Sequence, residues 1–331
     1  MNKIPRVVTI SGGTGSYVAL MGLKKYPLKL TAIVTMSDSG GSSGKLRDEL
    51  GVLPPGDVRQ CLVALAESPR LLREMFNYRF EEGGLKGHSF GNIFLSTLAK
   101  QTGSMKKAIA EVGKILRIKG NVVPSTFTKS DLCVDLEDGA KIIGETHIDV
   151  VEKKEKRARI VKAYLSPAAQ INEDAKKAIE DADFILIGPG DLYTSIIPSL
   201  LVKDVIKTIK NSKAKKIFVM NLMTKYGQTT RYSAKEHLDD LEKYLGKNII
   251  EYILINSKLP RRKTLSWYED FEEFPVKDDL DSPKKYKVIR KNLIKDLLIP
   301  ENSADELRRS IIRHDSERLA AEIVSIITNL I

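Results

Sequence analysis

The sequence predicts an α/β fold: a mostly parallel, doubly wound sheet covered by helices on both faces, with a small antiparallel β insert. Three observations predict it. Short apolar runs such as "RVVTI", "TAIVTM", "FILI" and "KIFVM" alternate with stretches of helical period. Glycine-rich polar loops follow those runs directly. From about Val122 to Ser166 the pattern changes to apolar/polar alternation, the signature of half-buried strands.

In chain order, "RVVTI" reads as the first strand, "SGGTGS" as a glycine turn and "YVALMGLKKY" as the helix that packs back. "TAIVTM" is the second strand. A long polar loop follows, "SDSGGSSGKLRDELGVLPPGD", with almost nothing to fill a core. Four helices come next: "VRQCLVALAES", "PRLLREMFNYRF", "FGNIFLSTLAKQTG" and "SMKKAIAEVGKILRIKG", punctuated by Pro69, Gly83, Gly84, Gly103 and Gly120. "LCVDL", "AKIIGET" and "RARIVKAYL" form the insert (about 122–166), with "EDG" as a turn and "KKEKR" as a solvated turn. The α/β rhythm then returns: helix "NEDAKKAIEDAD", buried strand "FILIGPG", helix "IPSLLVKDVIKTIKN" and strand "KIFVMN". "SAKEHLDDLEKYLG" is a helix whose Ser233 and Glu236 make a capping box. "IIEYILIN" is a further strand, and the segment from about 257 to 300 is irregular. A closing helix over 315–330 carries the stripe Leu319, Ile323, Ile326, Ile327 and Leu330, with Asp315 as its cap.

Composition bounds the function. The 331 residues, 42% hydrophobic, suffice for one large α/β domain or two small ones. No apolar run approaches the roughly 20 residues that span a bilayer, and "MNKIPRVVTI" lacks a signal peptide's apolar region. Two distant cysteines fit a reducing cytoplasm, and the four scattered histidines suggest no zinc site. The net charge of +11 points either to an anionic partner or to a solvated lysine-rich surface. The one dense basic cluster, "KLPRRK", has no interleaved aromatics, so neither a nucleic-acid partner nor a membrane is expected.

Four small-residue loops follow predicted strands: residues 11–16, 37–45, 188–195 and 221–230. Ligands of open α/β sheets bind at the carboxyl ends of strands, so the fold rule puts all four loops on one rim. Glycines let backbone N–H groups approach a phosphate, and a following helix N-terminus favours its charge. The expected ligand contacts are Gly12, Gly13, Thr14, Gly15, Ser42, Ser43, Arg47, Gly188, Gly190, Tyr193, Thr194, Ser195 and Asn221. Arg59 and Arg79 are further phosphate clamps, and each arginine can equally be an ion pair. "GGTG" alone is also a plain strand-to-helix turn. It is not a dinucleotide fingerprint, which requires glycine at Val18, nor a Walker A loop. Catalytic candidates are Asp38, Asp57, His88 and Asn92. Asp57 is alternatively the cap of the helix after "PPGD", and Asp38 an Asx-turn. No cofactor is firm; magnesium at Asp38 and Asp191 is the metal expectation.

The run "GGTGSYVALMGLKKYPLKLTAIVTMSDSGGSSGKLRDELGVLPPGDVRQCLVALAES" resembles the YvcK family, the gluconeogenesis factors of the CofD-like superfamily. "LKGHSFGNIFLSTL", "LEDGAKIIGE", "ADFILIGPGDLYTSIIPSLLV", "NLMTKYGQTTRYSAKEHLDDL" and "RHDSERLA" are similar to the same family in the same order. The resemblance implies a single three-layer Rossmann-like domain over 1–331 and a cytoplasmic, homodimeric protein. It implies binding of UDP-sugars, UDP-N-acetylglucosamine in particular, and a regulatory role in gluconeogenic growth, cell shape and wall synthesis. The other branch, 2-phospho-L-lactate transferase, implies instead an enzyme using a nucleotide-linked donor and magnesium. By position the resemblance makes Tyr268 a base-stacking ring and Arg313 a diphosphate contact. The chain departs from the family pattern at Ser39, Gln60, Asp191, Lys225 and Gln228. A nicotinamide dehydrogenase ranks behind both readings because the fingerprint fails at Val18.

Overall fold

The computed structural model describes residues 3–151, 156–281, 285–295 and 311–330. Seven strands form one parallel sheet: β1 (Arg6–Ser11), β2 (Lys29–Val34), β3 (Asn121–Pro124), β7 (Phe184–Ile187), β8 (Lys215–Val219), β9 (Tyr252–Asn256) and β10 (Lys287–Lys291). Their order is β10-β9-β8-β7-β1-β2-β3. The strands β4 (Asp131–Leu136), β5 (Lys141–Ile143) and β6 (Ile160–Ser166) make a separate antiparallel sheet. A two-stranded antiparallel pair joins β11 (Ile294–Lys295) to β12 (Arg313–His314).

The central strands are apolar on both faces because both are covered. Alternate residues feed two different cores. Val7, Leu30, Leu186 and Ile217 pack with helices α1 (Gly13–Leu23), α3 (Gly56–Leu65), α6 (Met105–Leu116) and α13 (Ser316–Thr328). Val8, Ile10, Ile185 and Phe218 face the other way. There they meet α8 (Glu173–Glu180), α9 (Ile197–Leu201), α10 (Val205–Asn211), α11 (Ala234–Leu245) and the insert. This is the expected three-layer arrangement. The closing helix docks through a glycine: a β-carbon on Gly22 of α1 would sit 1.9 Å from the Ser316 carbonyl oxygen of α13. Both predicted caps form, Asp315 on α13 and the Ser233–Glu236 box on α11.

The structure corrects several elements. The polar stretch after β2 is not all loop, because Gly41–Leu50 is helix α2, ended by Gly51 in the left-handed conformation (φ 69°). Its short buried stripe of Ser42, Ser43, Gly44 and Leu46 has too few apolar residues to read as a helix. Residues 121–124 pair in parallel with β2, so the antiparallel sheet starts at Asp131. "PRLLREMFNYRF" is helical only as α4 (Arg70–Asn77). "IPSLLVKDVIKTIKN" breaks into α9 and α10 at Asp204, whose φ is 71°. The segment 257–295 holds α12 (Arg262–Glu269) and the edge strand β10, "KVIRK", whose charges obscured its period. The remaining helices are α5 (Phe90–Thr102) and α7 (Glu145–Asp149). Most of the expected "KKEKR" turn lies outside the described residues.

Candidate functional site

Strand order reverses between β1 and β7, and at such a switch point the carboxyl ends of the strands open a crevice. The loops leaving those two strands touch each other. A β-carbon built on Gly15 would lie 1.8 Å from the Pro189 carbonyl oxygen. One on Gly12 would lie 2.7 Å from Ser195 Oγ, and one on Gly190 2.6 Å from Ser11 Oγ. Ser11 Oγ donates to the Pro189 carbonyl at 2.5 Å. Glycine occupies these positions because the two loops come closer than an added β-carbon permits.

Beside this seam lies a cavity of about 420 Å³, the size of a small-molecule site. All four predicted loops contribute to it: residues 13–15, Asp38, residues 189–191 with Thr194 and Ser195, and residues 221–225. Tyr268, Glu273 and residues 312–314 complete the wall. Among the described residues the lining holds six carboxylates (Asp38, Asp57, Glu145, Asp149, Asp191, Glu273) and three cations (Arg79, Lys225, Arg313). Burial, and then the neighbouring Asp38, push the Asp57 carboxyl up to about 7. Burial raises Asp38 as well, against the Gly40 N–H that donates to it at 2.9 Å. Burial, Asp38 and Asp149 hold Glu145 well above the usual carboxylate range. The crowding of buried carboxylates thus favours their protonated, neutral forms. His314 is pushed down to about 4 by burial and is neutral at pH 7.

Asp57 is not the cap of its helix. Helix α3 starts a residue earlier, with Pro55 at the cap position, and the Asp57 carboxylate instead accepts the Gly13 N–H. Ser42, Ser43, His88 and Asn92 do not line the cavity. They form a knot behind the Asp38 loop: Ser42 Oγ is 3.2 Å from His88 Nδ1, and Asn92 Nδ2 donates to Ser42 Oγ at 3.1 Å. Ser43 bonds Asp38, and Arg59 donates to Asn92 Oδ1 at 3.0 Å. Arg47 turns away to Asp48 and Asp131, at 3.0 and 2.8 Å, tying α2 to the insert. Of the three arginines named as clamps, Arg79 alone lines the cavity. Tyr268 lines it but is 2% exposed, which leaves little of its ring open to the cavity. Its hydroxyl accepts the Ile312 N–H at 3.1 Å and so braces the strand carrying Arg313.

Tyr193 belongs to the core behind the loop. Its hydroxyl donates to the buried Asp240 at 2.7 Å, as does that of Tyr232. The Tyr193→Phe variant is expected to lose about 1–2 kcal/mol of stability, read by urea unfolding, because Asp240 then keeps a buried lone pair unfilled. An unchanged midpoint would show that this bond does not anchor the loop.

Sequence reasoning missed Glu145, Asp149 and Lys225. Lys225 Nζ lies 3.1 Å from Asp149 and 3.8 Å from Asp191. Burial opposes its charge, yet these two acids hold it above the ordinary lysine range. Gln228 donates to Asp149 at 3.0 Å and sits 3.3 Å from Thr194 Oγ1. Three of the departures from the resembled pattern, Asp191, Lys225 and Gln228, therefore form one network. Another departure, Ser39, accepts the Thr146 N–H at 3.0 Å and anchors α7 beside Asp38. The signal for that network was the co-occurrence of the new acid with the new lysine.

A family model for 2-phospho-L-lactate transferase CofD matches residues 7–294. The gluconeogenesis factor of Bacillus subtilis is 35% identical over 328 residues, covering 99% of each protein. That of Halalkalibacterium halodurans is 38% identical, over 97% of this chain and 96% of its own length. The chain belongs to the gluconeogenesis factor family. A crystal structure of a UPF0052-family protein from Bacillus halodurans superposes with a TM-score of 0.87 at 35% identity. The match covers 98% of this chain and all of that one. The family-model match relates the chain to the CofD group. Among the described residues, no helix is long and apolar enough to cross a membrane.

Proposed function

We propose that this gluconeogenesis-factor chain is a cytoplasmic regulatory protein that binds a UDP-sugar, UDP-N-acetylglucosamine, in the cavity between β1 and β7. Its output is carbon metabolism, cell shape and wall synthesis, and it acts as a homodimer. The observation that carries the reading is the glycine seam: the first turn of α1 lines the cavity, and a helix start with small residues favours a phosphate. Arg313 and Arg79 line the same cavity and suit a diphosphate. Titration calorimetry with UDP-N-acetylglucosamine tests it. Saturable heat is expected, and Arg313→Ala should weaken binding about 10- to 100-fold. Tyr268→Phe should weaken it less, by loosening the strand that carries Arg313. No heat at millimolar ligand sinks the reading.

The carboxylate group Asp38, Asp57 and Glu145, with the CofD family match, favours a second reading, a transferase of the 2-phospho-L-lactate type. Among the described residues no three His, Cys, Asp or Glu side chains converge to hold a metal ion. Magnesium suits the site in another way, because it commonly takes one or two carboxylates and completes its shell with ligand phosphates and water. Asp38 and Asp57 would be its protein ligands, and its charge would favour their ionised forms. A melting temperature raised by GTP or GDP with magnesium, but not by UDP-N-acetylglucosamine, would favour the transferase.

A further inference from the structure

A smaller pocket of about 60 Å³ adjoins the main cavity. The two share a wall formed by Asp149, Lys225 and Glu273. The other side of the small pocket is aromatic: Tyr226, Trp267 and Phe271. Trp267, the one tryptophan of the chain, is half-buried, with its ring centroid 4.8 Å from that of Phe271 and 4.9 Å from that of Tyr268. Backbone bonds set this group in place: the N–H groups of Phe271 and Glu273 both donate to the Tyr268 carbonyl, at 2.9 and 3.1 Å.

The chemistry of the two compartments differs. The main cavity offers an anion a glycine seam, a helix start and arginines. Beyond the shared wall, the small pocket adds aromatic faces and the acids Asp270 and Glu272 and no further cation, a lining that disfavours an anion. Those same groups suit an uncharged, hydroxyl-rich ring, whose C–H face packs on an indole while its hydroxyls donate to carboxylates. With room for about four waters, the pocket takes one edge of such a ring rather than enclosing it. A ligand with an anionic half and a polyhydroxylated half is therefore sorted between the two compartments.

We propose that Trp267, with Phe271 and Tyr226, is the subsite for the sugar ring of the bound nucleotide sugar, and that Asp149 and Glu273 accept its hydroxyls. This rests on the nucleotide-sugar reading above. Lys225, on the shared wall, marks the boundary between the sugar and phosphate ends of the ligand.

The test compares UDP with UDP-N-acetylglucosamine by calorimetry on the wild-type, Trp267→Ala and Trp267→Phe proteins. The wild type is expected to bind the sugar nucleotide about tenfold more tightly than UDP. Trp267→Ala should bring the two affinities within about twofold, and Trp267→Phe should keep part of the margin. General damage to the fold lowers both affinities and leaves their ratio. If Trp267→Ala does not fold, Trp267→Phe and Phe271→Leu read the same margin. An undiminished margin in these variants overturns the subsite. Equal wild-type affinities also overturn it while leaving the nucleotide reading intact. A wild type that binds neither ligand overturns the nucleotide reading itself.

Discussion

A Gly15→Ala variant is expected to lose ligand binding and to unfold more easily than the wild type by about 3 kcal/mol. Helix propensity argues the other way, since alanine inside α1 gains about 1 kcal/mol over glycine. Contact geometry decides. The new methyl would fall 1.8 Å from the Pro189 carbonyl oxygen, a backbone atom held by Ser11 on its own far side of the seam. Neither loop can withdraw without opening the crevice between β1 and β7. Gly84→Ala is the control. It has nothing within 4 Å and no positive φ, so it should stay within about 0.5 kcal/mol of wild type. Urea unfolding and a ligand titration on both variants check this. A Gly15→Ala protein that binds normally would remove the seam from the functional account.

The second large effect is a pH dependence centred on Asp57. Its carboxyl is raised in the folded protein to about 7, first by burial and then by Asp38. A raised carboxyl means that the folded state holds a proton that the unfolded chain has released. Stability from this group is therefore present below the unfolded value and is lost as pH rises through the folded one. The window runs from about pH 4 to pH 7. The bare shift corresponds to about 4 kcal/mol, and because Asp57 is partly exposed about 2 kcal/mol is expected. Asp57→Asn should accordingly match the wild type near pH 4 and exceed its stability by about 2 kcal/mol at pH 8. The same charge governs ligand affinity. A diphosphate should bind the wild type more tightly at pH 6 than at pH 8, and magnesium or Asp57→Asn should flatten that slope. Stability curves of the two proteins that run parallel from pH 4 to pH 8 would show that Asp57 is not the titrating group.

Much of the site was legible because the fold rule acts on local signals. The runs "RVVTI" and "FILI" read as buried strands, and the glycine loops after them fall on one rim in any parallel sheet. His88 and Asn92 lie off this cavity, and their spacing could not show it. Four-residue spacing at a helix start shows that two side chains share a face, not which way the face points. Here it points into a knot that supports Asp38. Tyr193 is similar: it sits in a ligand-type loop, yet its hydroxyl turns to Asp240, which is 47 residues away and buried.

By itself the sequence determined the two-sided parallel sheet, the helix caps and the glycine turns. Those depend on apolar period, capping residues and φ freedom, all of which act within a few residues. The tertiary structure alone decided which charges meet. Thr146 reaches Ser39 across 107 residues and so sets Glu145 and Asp149 of α7 beside Asp38 and Asp57. Lys225 arrives from the end of β8, and Arg313 from a strand braced by Tyr268. Electrostatic energy depends on distances in space, and only the packed insert and the returning C-terminal strand bring those distances within a few ångströms.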